Sequence, residues 1–298
     1  MLYYFLHHKK GLTVSLKLIS IIQYLRIMSS LTITLIQPNL VWENKKANLE
    51  LLSQKIESIK EKTEVVILPE MFSTGFSMQP KLLGENMDGE TIVWMKKISS
   101  QKKIIVTGSL IIEEGGKYFN RLIWMLPNGE YGVYDKRHLF AYADEHSHYT
   151  AGNKRLIAQV KGWKINLQVC YDLRFPVWAR QAPLSFGEGP GVRSVLEYDL
   201  LIYVANWPER RSLAWKTLLQ ARAIENQCYV VGANRVGDDG NNIHYSGDSM
   251  IIDPLGEILY QKTNEEDVYT YTLEKEKLDE VREKFPFWRD ADSFEILP

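Results

Sequence analysis

The order of residue types along the chain predicts an α/β fold, a single domain built on mixed β-sheets. Three observations carry that expectation. Segments in which apolar residues alternate interleave with segments in which they recur at helical spacing. Turn signals between neighbouring strands require antiparallel pairs beside the parallel ones. After residue 30 the composition never shifts, so no linker divides the chain. The length of 298 residues alone is compatible with one large domain or two small ones. With 45% hydrophobic residues, 24% charged residues and a formal net charge of -1, no basic excess points to nucleic acid and no acidic block suggests a solvating tail. Two cysteines, Cys170 and Cys228, are too few for a disulfide framework, and a reducing cytoplasm is expected.

From the N-terminal end, residues 31–37 alternate as a strand that Pro38 and Asn39 end. Residues 43–62 read as a helix, with Leu49, Leu52, Ile56 and Ile59 on one face. The continuous apolar run 65–68 fits a strand covered on both sides and stops at Pro69 and Glu70. A helix over 92–102 and a strand over 103–112 come next. Residues 120–126 and 132–136 flank Pro-Asn-Gly-Glu and predict a hairpin. Ile165, Leu167 and Val169 alternate with Lys164, Asn166 and Gln168, the pattern of a half-buried strand, and Cys170 stands where the alternation stops. Then come a strand over 199–206, a helix over 212–226 with Ser212 as its N-cap, strands over 228–234, 249–253 and 258–261, and a polar helix over 274–284.

Two stretches stand apart. Residues 1–30 carry an apolar run over 11–27 that Lys17 and Arg26 interrupt, a poor membrane span without a small-x-small cleavage site. An over-called start or an idle extension accounts for it best, leaving 31–298 as the domain. The Gly- and Pro-rich residues 183–191 read as an exposed loop without regular structure, a lid or, preferably, a tolerated insertion.

Three residues at strand ends offer chemistry. Cys170 ends a strand where open α/β sheets place ligands, although most free cysteines are merely small buried hydrophobes. Glu70 closes the apolar run Val-Val-Ile-Leu-Pro. There it either caps the next segment or sits partly desolvated, in which case burial would raise its pKa toward that of a general base. Lys136 closes the hairpin's second arm, a place where a lysine is usually solvated. Together they supply a base, a cation and a nucleophile.

The segments around them, ILPEMFSTGF, DKRHLF and VCYDLRFP, resemble the Glu-Lys-Cys signature of the nitrilase (carbon–nitrogen hydrolase) superfamily. ANWP, ARAIENQCYVVGANRVG and GDSMIIDPLGE resemble it too, so the likeness runs from residue 31 to the C-terminus. Within the superfamily, MFSTGFSM, DEHSHYTAG and NWPERR are most similar to the bacterial omega-amidase branch, whose members hydrolyse the terminal amide of 2-oxo acids such as 2-oxoglutaramate. The resemblance implies a four-layer α-β-β-α sandwich, a homodimer, a small-molecule amide substrate, and neither metal nor organic cofactor. The N-terminal extension and the 183–191 loop depart from the pattern.

A free thiol with a pKa of about 8.5 is mostly protonated at neutral pH and needs help to attack. Glu70 is therefore expected to take the Cys170 proton, with Lys136 and the backbone N–H of Tyr171 holding the oxyanion of a thioester-forming reaction. The resemblance suggests Glu145 as a second carboxylate beside the lysine; otherwise it is a surface charge in a polar turn. Arg174 offers a fork for a substrate carboxylate, the alternative being an internal pair with Asp172 or another acid. Phe76, Phe140 and Trp207 are candidate walls, or simply core. Asp144, Glu145, His146 and His148 have no diagnostic metal spacing and read as a solvated turn. His138 as the base of a Cys-His hydrolase, sharing a strand face with Lys136, would leave Glu70 and Lys136 unexplained. Cys228 reads as structural, and Trp215, Leu219 and Ala223 as a dimer face or core. Two function classes remain: an amidase, acting on a 2-oxo acid amide, deaminated glutathione, an N-carbamoyl compound or a nitrile, and a non-catalytic binding protein.

Overall fold

The computed structural model describes residues 30–181, 184–186, 193–292, 294 and 296. Residues 1–29, expected to be an extension, lie outside them. Five strands and two helices of more than four residues form the first half: β1 (Ser30–Gln37), α1 (Lys45–Glu57), β2 (Val65–Ile67), α2 (Glu90–Lys102), β3 (Ile105–Glu114), β4 (Lys117–Met125) and β5 (Tyr131–Asp135). The second half runs β6 (Leu156–Val160), β7 (Trp163–Val169), β8 (Leu184–Phe186), β9 (Arg193–Val195), β10 (Leu200–Val204), α3 (Ser212–Asn226), β11 (Tyr229–Ala233), β12 (Val236–Asp238), β13 (His244–Ile252), β14 (Ile258–Thr263), β15 (Asp267–Glu274) and α4 (Lys275–Lys284).

The strands make two mixed sheets. One has the order β15-β1-β2-β3-β4-β5; the other runs β12-β13-β11-β10-β7-β6, with β14 paired to β13. Strands β1, β2 and β3 are mutually parallel, as are β7, β10 and β11, and antiparallel strands flank both trios. Strand alternation explains the layering. Ile33, Leu35, Val65 and Ile67 join the core shared with Ile202, Val204 and Val231 of the other sheet. Ile36, Val66 and Val106 point the opposite way, under Leu49, Leu52 and Ile56 of α1 and Ile92, Met95 and Ile98 of α2. On the far side Trp215 and Leu219 of α3 press on β11 so closely that a Cβ at Gly232 would strike both. Four layers result, α-β-β-α.

Several sequence expectations are corrected. Strand β7 is buried on both faces, Asn166 and Gln168 included, because the chain after Cys170 folds back over it, the Trp178 carbonyl accepting from the Gln168 side-chain amide at 3.4 Å. Ser212 is the first helical residue of α3 and not its N-cap, which is Arg211, without a side-chain cap. The helix expected over 43–62 spans only Lys45–Glu57, capped by Asn44, whose side chain accepts from the Ala47 N–H at 3.1 Å. Trp215, Leu219 and Ala223 are core. Where no regular structure was expected over 183–191, β8 pairs antiparallel with β9; residues 187–192 lie outside the described set.

Candidate active site

The site forms where the carboxyl ends of parallel strands from both sheets meet, the place at which open sheets bind ligands. Glu70 stands three residues beyond β2, Cys170 directly after β7, Asn206 two residues beyond β10, and Lys136 directly after β5. Lys136 is fixed through its backbone: its N–H donates to the Asn120 carbonyl and its carbonyl accepts from the Gly152 N–H, both at 3.0 Å.

Lys136 Nζ lies 2.9 Å from Glu70 Oε1 and 2.9 Å from Glu145 Oε2, and all three side chains are fully buried. Asn120 Nδ2 bridges the same carboxylates, donating to Glu70 Oε1 at 2.8 Å and Glu145 Oε1 at 3.1 Å. The Asn206 N–H donates to Glu70 Oε2 at 2.8 Å, and its side-chain amide donates to the Glu70 carbonyl, tying the two sheets together at the site. Glu145 Oε2 accepts the Phe140 N–H at 2.6 Å. The Cys170 Sγ lies 4.0 Å from the Asn206 carbonyl oxygen.

Burial, and two carboxylates sharing one ammonium, set the electrostatics. Burial alone would push the Lys136 pKa down, but Glu145 and Glu70 outweigh it and hold the ammonium charged. Burial raises the pKa of Glu145, the negative charge of Glu70 adds to the rise, and Lys136 opposes it. Burial pushes the Cys170 thiol well up, and Glu70 outweighs the opposing pull of Lys136. The resting Cys170 side chain is therefore a neutral thiol in the field of the Glu70 carboxylate.

Cys170 adopts φ +46°, in the left-handed region that a non-glycine residue occupies at a cost of about 1–3 kcal/mol. The turn is held from below. Asp172, fully buried, accepts from the Val169 N–H (3.0 Å), Tyr134 Oη (2.7 Å) and the His138 N–H (2.9 Å), and its Oδ1 lies 2.8 Å from His138 Nδ1. The same carboxylate thus joins the Cys170 turn to the segment carrying Lys136. His138 is consequently not the base of a Cys-His pair: β5 ends at Asp135, and the imidazole stacks on Phe175 at 3.8 Å instead of facing the sulfur. Asp172 is not the partner of Arg174 either, because those four contacts occupy it.

Over Cys170 opens a cavity of about 230 Å³, lined by Phe76, Lys136, Phe140, Cys170, Tyr171, Arg174, Asn206 and Trp207 among others. Phe76 packs on Lys136, Nζ to ring centroid 5.2 Å, and the Arg174 guanidinium stacks on Trp207 at 5.0 Å. Glu70, Lys136, Cys170, Glu145, Tyr171, Arg174, Phe76, Phe140 and Trp207 all reach this one site. Asn120 and Asn206 were missed as contributors; the Asn of the ANWP segment was a visible signal, whereas Asn120, followed by Arg121, carried none. Asp144, His146 and His148 stay exposed around the buried Glu145, and no group of three or more metal-ligating side chains occurs among the described residues.

The chain is similar to known proteins along most of its length. A family model, Carbon-nitrogen hydrolase, matches residues 32–283. The chain is 44% identical over 274 residues to the omega-amidase YafV of Escherichia coli (strain K12), covering 90% of this chain and 100% of that protein. It is 30% identical over 262 residues to the 2-oxoglutaramate amidase of Bacillus subtilis (strain 168), covering 87% and 96%. The crystal structure of XC1258 from Xanthomonas campestris, described as a CN-hydrolase superfamily protein with an arsenic adduct in the active site, superposes with a TM-score of 0.85 at 44% identity, covering 90% of this chain and 99% of that one.

Proposed function

Because the chain belongs to the carbon–nitrogen hydrolase family, we propose that it hydrolyses the terminal amide of a small 2-oxo acid of the 2-oxoglutaramate type, releasing ammonia through a thioester on Cys170. The observation that carries this reading is the buried Glu70–Lys136–Glu145 cluster beside a neutral thiol at the floor of a small cavity. As sulfur attacks the amide carbon, Glu70 accepts the thiol proton, so that the thiolate forms only with the new S–C bond. Lys136 and the N–H of Tyr171 receive the negative charge on the former carbonyl oxygen, where one well-placed donor lowers the barrier by about 2.7–4 kcal/mol. Glu70 returns the proton to nitrogen, the C–N bond breaks and ammonia leaves. A water then attacks the thioester carbon, giving one proton to Glu70, which passes it to the departing sulfur. Glu145 and Asn120 keep Lys136 and Glu70 in place through the cycle. Arg174 meets the substrate carboxylate, with Phe76, Phe140 and Trp207 as walls.

A homodimer in the cytoplasm belongs to the same reading. The free, buried state of both cysteines supports a reducing compartment. An apolar patch of Ile224, Leu255 and Ile258, each about half exposed, is consistent with a covered surface. No helix among the described residues is long and apolar enough to cross a membrane.

Ammonia release from a panel comprising 2-oxoglutaramate, an N-carbamoyl amino acid, deaminated glutathione and a nitrile tests the assignment, with Cys170→Ala as control. Selective turnover of 2-oxoglutaramate by the parent alone is expected. Equal turnover by the Cys170→Ala protein would remove the mechanism, and preference for another member would move the substrate.

A further inference from the structure

Four arginines that the fold buries at least in part meet an acid. Arg121 pairs with Glu114 and Asp135, Arg155 with Glu197, Arg222 with Glu225 and Arg282 with Asp199. The arginines around the catalytic cavity do not. Arg174, Arg210 and Arg211 all line it, and none has a carboxylate partner among the described residues. Each of the two nearer the chemistry rests on an aromatic ring. Arg174 lies over Trp207, and the half-buried Arg211 lies over Phe140, both at 5.0 Å from guanidinium carbon to ring centroid. The backbone keeps Arg211 there: its carbonyl accepts from Trp207 Nε1 at 2.8 Å and its N–H donates to the Pro208 carbonyl at 3.0 Å. Phe140, in turn, is bonded through its N–H to Glu145, the partner of Lys136, so the support under Arg211 is anchored to the catalytic cluster itself.

Like charges gathered on one small cavity repel, and desolvation makes the repulsion worse; both effects lower the pKa of Arg211. The two acids of the site cannot relieve it, since Glu70 and Glu145 are engaged with Lys136 and Asn120. An anion entering the cavity can. A guanidinium fork suits a carboxylate, and two forks held at fixed places suit an end group with adjacent carboxylate and oxo oxygens.

We propose that Arg211 acts with Arg174 as a two-guanidinium clamp for the 2-oxo acid end of the substrate, which makes Arg211 a specificity-determining residue. This rests on the amidase reading above. The amide end then lies over Cys170, with the anionic end turned toward the rings of Trp207 and Phe140. Arg211 acts on which amide is bound and leaves the acylation chemistry to Glu70, Lys136 and Cys170.

Two measurements test it. The first compares kcat and KM of the parent, Arg211→Gln and Arg211→Lys on 2-oxoglutaramate and on an uncharged amide of similar length. In Arg211→Gln, KM for the acid should rise about 10- to 100-fold with kcat little changed, the scale of one charged hydrogen bond. Turnover of the uncharged amide should hold, and Arg211→Lys should recover part of the loss. Equal losses on both substrates, or no loss on either, would overturn the clamp. The second needs no turnover: calorimetric binding of 2-oxoglutarate to Cys170→Ala protein, with and without Arg211→Gln. A Kd at least about tenfold weaker in the double variant supports the clamp; equal affinity, or no binding to either, overturns it. Failure of the amidase reading itself would show separately, as a parent enzyme that releases no ammonia from 2-oxoglutaramate.

Discussion

In the proposed mechanism Cys170 is a nucleophile kept protonated until it is needed. Burial and the neighbouring Glu70 carboxylate raise its pKa, and Lys136 only partly offsets them, because that ammonium is already shared between two acids. The sulfur should therefore react slowly with iodoacetamide at pH 7, and the rate should climb only as the pH passes the ordinary thiol value of about 8.5. In Glu70→Gln one of the forces raising the pKa disappears while Lys136 remains. Turnover should then fall by about 100-fold or more, as for loss of a general base, yet alkylation at pH 7 should become faster. Intact-mass kinetics across a pH series checks both. A parent alkylation rate that is already maximal and flat from pH 6 to about 8 would mean a resting thiolate and a different first step. That Glu70, Lys136 and Cys170 belong to one site was readable because each ends a strand-like run, and placement at strand ends is a positional signal. Asn120 was not, since a single asparagine in a strand reads the same whether it faces water or bridges two buried acids.

The turns after the strands hold these side chains in register. Lys136 leaves β5 under constraint from both sides, and one constraint is the N–H of Gly152 in the stretch Thr150-Ala151-Gly152. A Cβ on Gly152 would collide with the backbone carbonyl of Asp135, which no side-chain rotation relieves. Gly152→Ala must shift the backbone next to Lys136. Backbone shifts of this kind typically destabilise by about 1–3 kcal/mol, and misplacing a catalytic group by about 1 Å can slow turnover about 100-fold. A loss in kcat beyond what the loss in folded fraction explains, measured by activity against circular dichroism, is expected. An unimpaired, fully stable variant would show that Gly152 does not set the lysine's position. Periodicity found β1, β2, β7 and β10 because their apolar patterns are strong and uninterrupted. It missed β6, β12 and β15, where polar and apolar residues mix and pairing to a neighbour supplies the order. The half-buried reading of β7 failed for a related reason: alternation reports side-chain polarity, and Asn166 and Gln168 are polar residues that the packing nevertheless encloses.

Face-to-face packing of the two sheets, with helices outside both, buries many protonated acids whose ionisation the fold resists. Burial raises the pKa of Cys170, Cys228, Tyr134, Tyr198, Tyr203 and Tyr245, and pushes Tyr229 up to about 12. In the unfolded chain these groups lose their protons near about 8.5 for cysteine and about 10 for tyrosine. Above those values the unfolded state binds fewer protons than the native one, so the free energy of unfolding must fall as pH rises. The contribution is complete below the unfolded values and is lost progressively as the pH climbs toward the folded ones. Stability should thus be level near neutrality and decline between about pH 8.5 and pH 11, the thiols acting first and the phenols later. Because Tyr134 of one sheet and Tyr203 of the other belong to the same core, both sheets should be lost in one transition. Urea titrations at stepped pH, followed by far-ultraviolet dichroism and tryptophan fluorescence, measure this directly. Cys228→Ala removes one of the two thiols and, apart from a uniform loss from its small cavity, should flatten the decline between about pH 8.5 and 10. Stability that holds or rises above pH 10 would show that the native state releases these protons as readily as the unfolded chain, and that the buried thiols and phenols are not sealed by the sandwich.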